Sequence, residues 1–147
     1  MKQLRISVLL LLILLSTKIQ ADEFETIVRL SYYSKPVSTL EWSVTVFRSG
    51  HTAYVQIENF RSNTRKRSIH PERYKKFITI MDREHLLNID SDDRIADESC
   101  YYKLYYKYRG VSKAVVIDPL KPHIDKKKGI PVIIRTIINY GILIMPE

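Results

Sequence analysis

The side chains able to do chemistry are scattered along this chain. Four histidines, His51, His70, His85 and His123, fall in no H-E-x-x-H or other closely spaced metal pattern, so the expectation is no metal and no cofactor. The acidic run from Asp90 to Glu98 has the density of a calcium loop. Arg94 and Ile95, however, stand where an EF-hand needs an oxygen ligand and a glycine, and Tyr101 stands at the bidentate glutamate position. Cys100 is the only cysteine, with no nucleophile signature around it, and no Gly-x-Ser-x-Gly elbow is present. Four glycines in 147 residues leave no material for a phosphate-binding glycine loop. Glu41, Glu58, Asp97 and Asp118 could supply a carboxylate pair of the glycosidase type, but no spacing selects any two of them. These absences favour binding over catalysis, with a hydrolase as the reading of last resort.

Cations and aromatics offer more. Arg61, Arg65, Lys66 and Arg67 crowd one short segment, Lys75-Lys76 and Lys126-Lys127-Lys128 form two others, and the net charge is +8. Such runs are often merely solvated; the functional alternative is a patch for lipopolysaccharide, a sulfated glycan or an acidic protein. Ten tyrosines add flat, amphipathic surface of the kind enriched at interfaces. Tyr54, Tyr101 and Tyr105 are the ones expected on an uncovered face.

The elements that must carry these groups can be read from periodicity. Residues Glu41–Arg48 and His51–Asn59 flank Ser49-Gly50, which reads as a two-residue hairpin link. With Arg48 opposite His51, the residues Trp42, Val44, Val46, Ala53, Val55 and Ile57 share one side, and Phe47 and Tyr54 take the other. A second hairpin turns at Arg109-Gly110, pairing Tyr108 with Val111, Leu104 with Val115 and Tyr102 with Ile117. That register sends Tyr102, Tyr106 and Tyr108 to the core and Lys103, Tyr105 and Lys107 outward. Phe24–Tyr33 supplies a fifth strand. Between the hairpins, Tyr74, Phe77, Ile78, Met81 and His85 recur at spacings of three and four, so an amphipathic helix is expected over Pro71–Leu87, with Pro71 in its first turn. Ile130, Ile133, Ile134, Ile137 and Ile138 mark a second helix closed by Gly141, despite β-branched content that favours a strand. The expected fold is α+β: a single antiparallel sheet of five strands, in the order strand, hairpin, helix, hairpin, helix, with both helices packed on one face.

The first 21 residues have a different character. Lys2 and Arg5 precede an apolar run, Ile6–Leu15, and a polar stretch ends at Ala21 before Asp22-Glu23. This is the three-part layout of a secretory signal peptide, too short to remain as a membrane anchor. Cleavage after Ala21 removes Lys2, Arg5 and Lys18 but no acid, lowering the charge to +5 and leaving residues 22–147 as a single domain. One cysteine permits no internal disulfide, and no Asn-x-Ser/Thr signal occurs, so a bacterial periplasmic or secreted protein is the expectation. A pI near 9.6 would ordinarily point to nucleic acid, but export argues against that partner.

A resemblance bears on the partner. Val44-Thr45-Val46-Phe47-Arg48-Ser49-Gly50, then Ser68-Ile69-His70-Pro71-Glu72 opening a helix, Tyr102-Lys103-Leu104-Tyr105-Tyr106 before Gly110, and Pro131 opening a last helix form a layout that resembles the emfourins. These are small bacterial proteinaceous inhibitors of thermolysin-like metalloproteases. The likeness spans residues 40–140 as an order of elements, and the leader and the additional N-terminal strand depart from it. It implies protease inhibition but carries over no inhibitory residue. The expected function is thus an exported, non-enzymatic protein that binds another macromolecule as an inhibitor or immunity-type protein. The alternative is an adhesin-like binder of anionic surfaces through its cationic loops.

Overall fold

The structure, a computed structural model, describes residues 25–34, 38–59, 63–91, 100–119 and 129–142. The segment expected to be a leader, residues 1–21, and Arg61, Asp97, His123 and the triple lysine at 126–128 lie outside the described residues. Six strands, β1 (Ile27–Ser34), β2 (Thr39–Ser49), β3 (Thr52–Asn59), β4 (Thr64–Ile69), β5 (Tyr101–Tyr108) and β6 (Val111–Ile117), accompany two helices, α1 (Pro71–Arg83) and α2 (Ile130–Ile142). The strands form one antiparallel sheet in the order β4-β3-β2-β1-β5-β6. The α+β class therefore holds, with six strands rather than five. Among the described residues no helix is long and apolar enough to cross a membrane.

The extra strand is the segment read above as a basic loop. Its sequence, Thr-Arg-Lys-Arg-Ser-Ile, shows no apolar alternation, because at the sheet edge only Ile69 needs burial. Charged side chains are what a sheet edge uses to discourage pairing with another chain. Asn59 and Asn63 tie β3 to β4: the Asn59 N–H donates to the Asn63 carbonyl at 3.3 Å, and the Asn63 N–H donates to Asn59 Oδ1 at 3.1 Å.

The hairpin registers test the reading of faces. The β5–β6 pairing matches expectation, with Tyr108 opposite Val111, Leu104 opposite Val115 and Tyr102 opposite Ile117. Arg109 and Gly110 have φ of 50° and 76°, the two left-handed positions of a type I′ turn. In β2–β3 the link is Gly50-His51, and Val46 faces Val55, Val44 faces Ile57 and Trp42 faces Asn59. The offset from the expected pairing is two residues, so every side chain keeps its face while changing its partner. Gly50, with φ of 58°, stands at the first turn position, where type II′ hairpins take glycine.

One face supplies the core. Val28 and Leu30 of β1, Val44 and Val46 of β2, Ala53, Val55 and Ile57 of β3, and Leu104, Tyr106 and Tyr108 of β5 are buried in one cluster with Phe77 and Met81 of α1 and Ile130, Ile133 and Ile137 of α2. Burial of these isoleucines at spacings of three and four outweighs the small propensity cost of β-branching, and α2 is a helix. Two boundaries differ from expectation. Helix α1 stops at Arg83, and His85, exposed and left-handed with φ of 57°, leaves the apolar stripe; a short 3₁₀ turn over Leu86–Asn88 follows. Gly141 lies inside α2 instead of closing it, and a Cβ there would stand 2.7 Å from Val44 Cγ2.

Candidate interaction surface

The residues opposite in parity to the core line up in rows across the sheet. One row runs Ser68, Tyr54, Phe47, Ile27, Lys107, Ser112; the next runs Lys66, Gln56, Thr45, Arg29, Tyr105, Ala114. A third runs Thr64, Glu58, Ser43, Ser31, Lys103, Val116, and Tyr33 and Tyr101 pair beyond it. Tyr54, Tyr101, Tyr105 and Lys66 therefore share one face. Period-two alternation does this: each lies an even number of residues from its outward-facing strand mates.

None of the three tyrosines is fully exposed, because each leans on a neighbour. Tyr54 stacks on Phe47 with centroids 5.4 Å apart and planes at 28°, and Lys66 Nζ sits over both rings, 4.1 Å from Tyr54 and 4.9 Å from Phe47. An ammonium over the negative faces of two rings is held electrostatically. Tyr101 stacks on Tyr33 at 5.0 Å with planes 10° apart. The hydroxyls of Tyr105 and Ser112 lie 3.3 Å apart. The acids of this face are matched to cations: Glu58 accepts from Arg29 Nη2 at 3.0 Å, which also reaches Ser43 Oγ at 3.2 Å, and Glu25 pairs with Lys107. Two aromatic pairs at opposite ends of the face, with lysines beside them, thus present flat apolar area whose shape is set before any partner arrives.

The described members of the cationic cluster are divided between the two faces. Alternation along β4 puts Lys66 on this face and turns Arg65 and Arg67 to the other. Arg65 borders a groove of about 610 Å³ with Glu41, Trp42, Asn59 and Ile138, beside the last turn of α2. Arg67 borders a separate cavity at the β2–β3 turn. Sequence reasoning placed Tyr54, Tyr101 and Tyr105, put Phe47 on the side of Tyr54 and named Lys66 in the cationic cluster, but gave no partner for Tyr101. Finding Tyr33 required the strand order, which puts β1 between the two hairpins.

The groups with reactive potential are engaged elsewhere. Cys100 is half-buried just before β5, and its hydrogen bond with Tyr32 is the main cause, with burial, of a Tyr32 phenol pushed up to about 12. Tyr32 is also stacked with Trp42 at 5.7 Å and touches Tyr102 at 5.3 Å. Glu41 accepts a hydrogen bond from Ser34, Glu58 is held by Arg29, and Asp118 is buried. Among the described residues no three of His, Cys, Asp or Glu converge. Tyr108 donates to Asp82 Oδ1 at 2.7 Å, and burial followed by that hydrogen bond pushes its phenol up to about 12. Asp82 Oδ2 takes the Arg109 guanidinium at 2.7 Å, so the tip of the second hairpin is pinned to α1. Comparison with protein-family models, with curated proteins and with solved structures finds no match to this chain.

Proposed function

We propose that this is an exported, non-enzymatic bacterial protein that binds another macromolecule through the aromatic face of its sheet, while both helices cover the opposite face. One observation carries the reading: Phe47–Tyr54 under Lys66 and Tyr33–Tyr101 occupy the same side of one sheet, the side that supplies none of the buried apolar cluster. Stacked tyrosines lose little conformational entropy on binding and bury large area, which is why such residues dominate the energetics of interfaces. The inhibitor or immunity class fits this arrangement, and the emfourin-like order of elements supports it. Export rests on the leader pattern at residues 1–21, with the mature protein in the periplasm or outside the cell.

The test is capture of a stoichiometric partner from envelope or culture fluid on the immobilised mature protein. Tyr54→Ala and Tyr101→Ala should each weaken retention of that partner at least tenfold, the loss of an interface anchor of about 1.4 kcal/mol or more. Retention of no partner, together with turnover in a broad hydrolase screen, would reverse the reading. Mass spectrometry of the exported protein checks the leader: cleavage after Ala21 is expected.

A second reading draws on β4, where Arg65, Lys66 and Arg67 put charge on both faces of one sheet edge. An anionic glycan or lipopolysaccharide would be held there by charge, so binding would fall steeply with salt, whereas a protein complex seated on the aromatics would be far less salt-sensitive. Neutralising Arg65 and Lys66 without change in heparin retention would exclude it.

A further inference from the structure

A second concave site lies away from the aromatic face. It is an open cavity of about 690 Å³ where the β2–β3 turn, the end of β4 and the start of α1 meet, and Arg48, His51, Arg67, His70, Ser68 and Tyr74 border it. Two of these six are guanidinium cations and two are imidazoles, and no carboxylate is among the described residues that line it.

The fold imposes this convergence. Arg48 pairs across the ladder with Ala53, and Arg67 with Val55, so both are on the core side of the sheet, Arg48 half-buried and Arg67 exposed. The Arg48 Nε donates to the Gly50 carbonyl at 3.0 Å, which lays the guanidinium along the turn. His70 caps α1 by accepting the Glu72 N–H on Nδ1 at 3.4 Å, so in that state its proton is on Nε2, which remains a donor. This cap takes up the Glu72 N–H, and the site is made by side chains. Arg48, His51 and Arg67 have partners within the fold. A guanidinium has five N–H donors in a fixed fork, enough to keep such contacts and still meet the oxygens of a tetrahedral anion.

We propose that this cavity binds a tetrahedral oxyanion ester, a phosphate or sulfate group carried on a sugar-sized body, with Arg48 and Arg67 as the principal donors and His51 and His70 beside them. The size argues for an ester over a bare anion, since about 300–1,000 Å³ is the range of small-molecule sites and a lone tetrahedral anion would fill little of it. The tyrosine ring and the Pro71 edge offer the apolar contact that a sugar face uses. The assignment is independent of any partner on the aromatic sheet face.

The test follows the histidine ring signals of the folded protein by NMR during titration with glucose 6-phosphate, glucose 6-sulfate and glucose. His51 and His70 should shift saturably with one or both esters and not with glucose, while His85, exposed on the far end of α1, stays still; the tighter ester identifies the anion. Arg48→Gln and Arg67→Gln should each weaken binding by about tenfold or more, the usual loss for a hydrogen bond to a charged group. Arg67→Lys, which keeps charge but loses the fork, should fall between. Thermal melts of each variant separate lost binding from lost fold, and the Tyr54→Ala variant should bind the ester as the wild type does. Shifts that fail to saturate, equal shifts with glucose, equal movement of His85, or wild-type affinity in both folded glutamine variants would overturn the assignment.

Discussion

Gly141 is where the backbone of α2 meets the sheet, and replacing it with alanine sets two known effects against each other. A Cβ at this position would lie 2.7 Å from Val44 Cγ2, 3.3 Å from Val44 Cγ1 and 3.5 Å from Ile57 Cδ1. Val44 is only 3% exposed and β-branched, so its χ1 is restricted, although the residue also borders the groove beside α2. Alanine for glycine in a helix gains at most about 1 kcal/mol of propensity, less at the penultimate residue of the helix. Overpacking a filled core costs about 1–3 kcal/mol. At 2.7 Å something must move, so overpacking wins and Gly141→Ala should lose about 1 kcal/mol, roughly a 4 °C drop in Tm. Val44→Ala removes the obstructing methyls and costs about 2 kcal/mol by itself. In that background Gly141→Ala should become neutral or stabilising, giving a coupling of about 1–2 kcal/mol between two residues in contact. Guanidinium denaturation of the four proteins measures the cycle. Additive effects, or a Gly141→Ala that stabilises the wild type, would mean that α2 does not sit on β2 at this point.

Three further outcomes follow from side chains already described. All ten tyrosines lie among the described residues, and six have phenols raised above the ordinary value, Tyr32 and Tyr108 to about 12 and Tyr74, Tyr102, Tyr106 and Tyr140 by burial first. Between pH 10 and 12 the unfolded chain releases tyrosine protons that the native state keeps, so stability is full below pH 10 and falls as pH rises through that window. Denaturation midpoints together with phenolate absorbance check this, and ten phenols ionising near 10 in a still-folded protein would contradict it. Tyr108→Phe removes the hydrogen bond to Asp82 and should cost about 1 kcal/mol in a chemical melt at pH 7 while flattening the alkaline loss; an unchanged alkaline slope would show that Tyr108 is not one of its sources. Gly129→Ala combines a φ of 70° with a Cβ 2.7 Å from Glu84 Cβ and 2.8 Å from the Glu84 carbonyl, and should destabilise by about 2 kcal/mol in the same melt; a change within about 0.5 kcal/mol would place Gly129 elsewhere.

How much was legible depended on what each signal measures. Alternation reports faces, and the faces came out right even in β2–β3, where the pairing slipped by two, because a two-residue slip is invisible to a period of two. Arg109-Gly110 specified its register because both turn positions take positive φ, whereas Ser49-Gly50-His51 left two ways to turn with the glycine in a left-handed conformation. Strand β4 escaped notice because an edge strand with a single buried residue, Ile69, carries no hydrophobic period. The spacing predicts α1 over Pro71–Leu87 because His85 continues the stripe, but the helix ends at Arg83 and a left-handed His85 lets Leu86 and Ile89 turn into the core. The aromatic face was half legible. Tyr54, Tyr101 and Tyr105 follow from alternation alone, and Phe47 follows from the hairpin it shares with Tyr54, but Lys66 depends on the edge strand β4 and Tyr33 on the place of β1 beside β5, which long-range packing decides.

The two sheet edges bear on how a partner would approach. A long unpaired edge offers N–H and C=O groups to an incoming strand, and strand addition is the commonest way a sheet recruits a peptide. At the β6 edge the Val116 N–H already donates to Ser91 Oγ at 3.2 Å, and the Lys113 ammonium donates to the Ile89 carbonyl at 2.8 Å, so residues 89–91 approach that strand and occupy one of its backbone donors. At the β4 edge Arg65, Lys66 and Arg67 would bring three consecutive charges against an added strand, which any paired backbone would have to desolvate or match. Both edges are therefore poor templates, for different physical reasons. The aromatic face has neither obstacle: its acids Glu58 and Glu25 are matched to Arg29 and Lys107, and its rings are stacked before contact. Docking against that face would cover rings already stacked and acids already matched, which is why the proposed function rests on the face and not on strand addition.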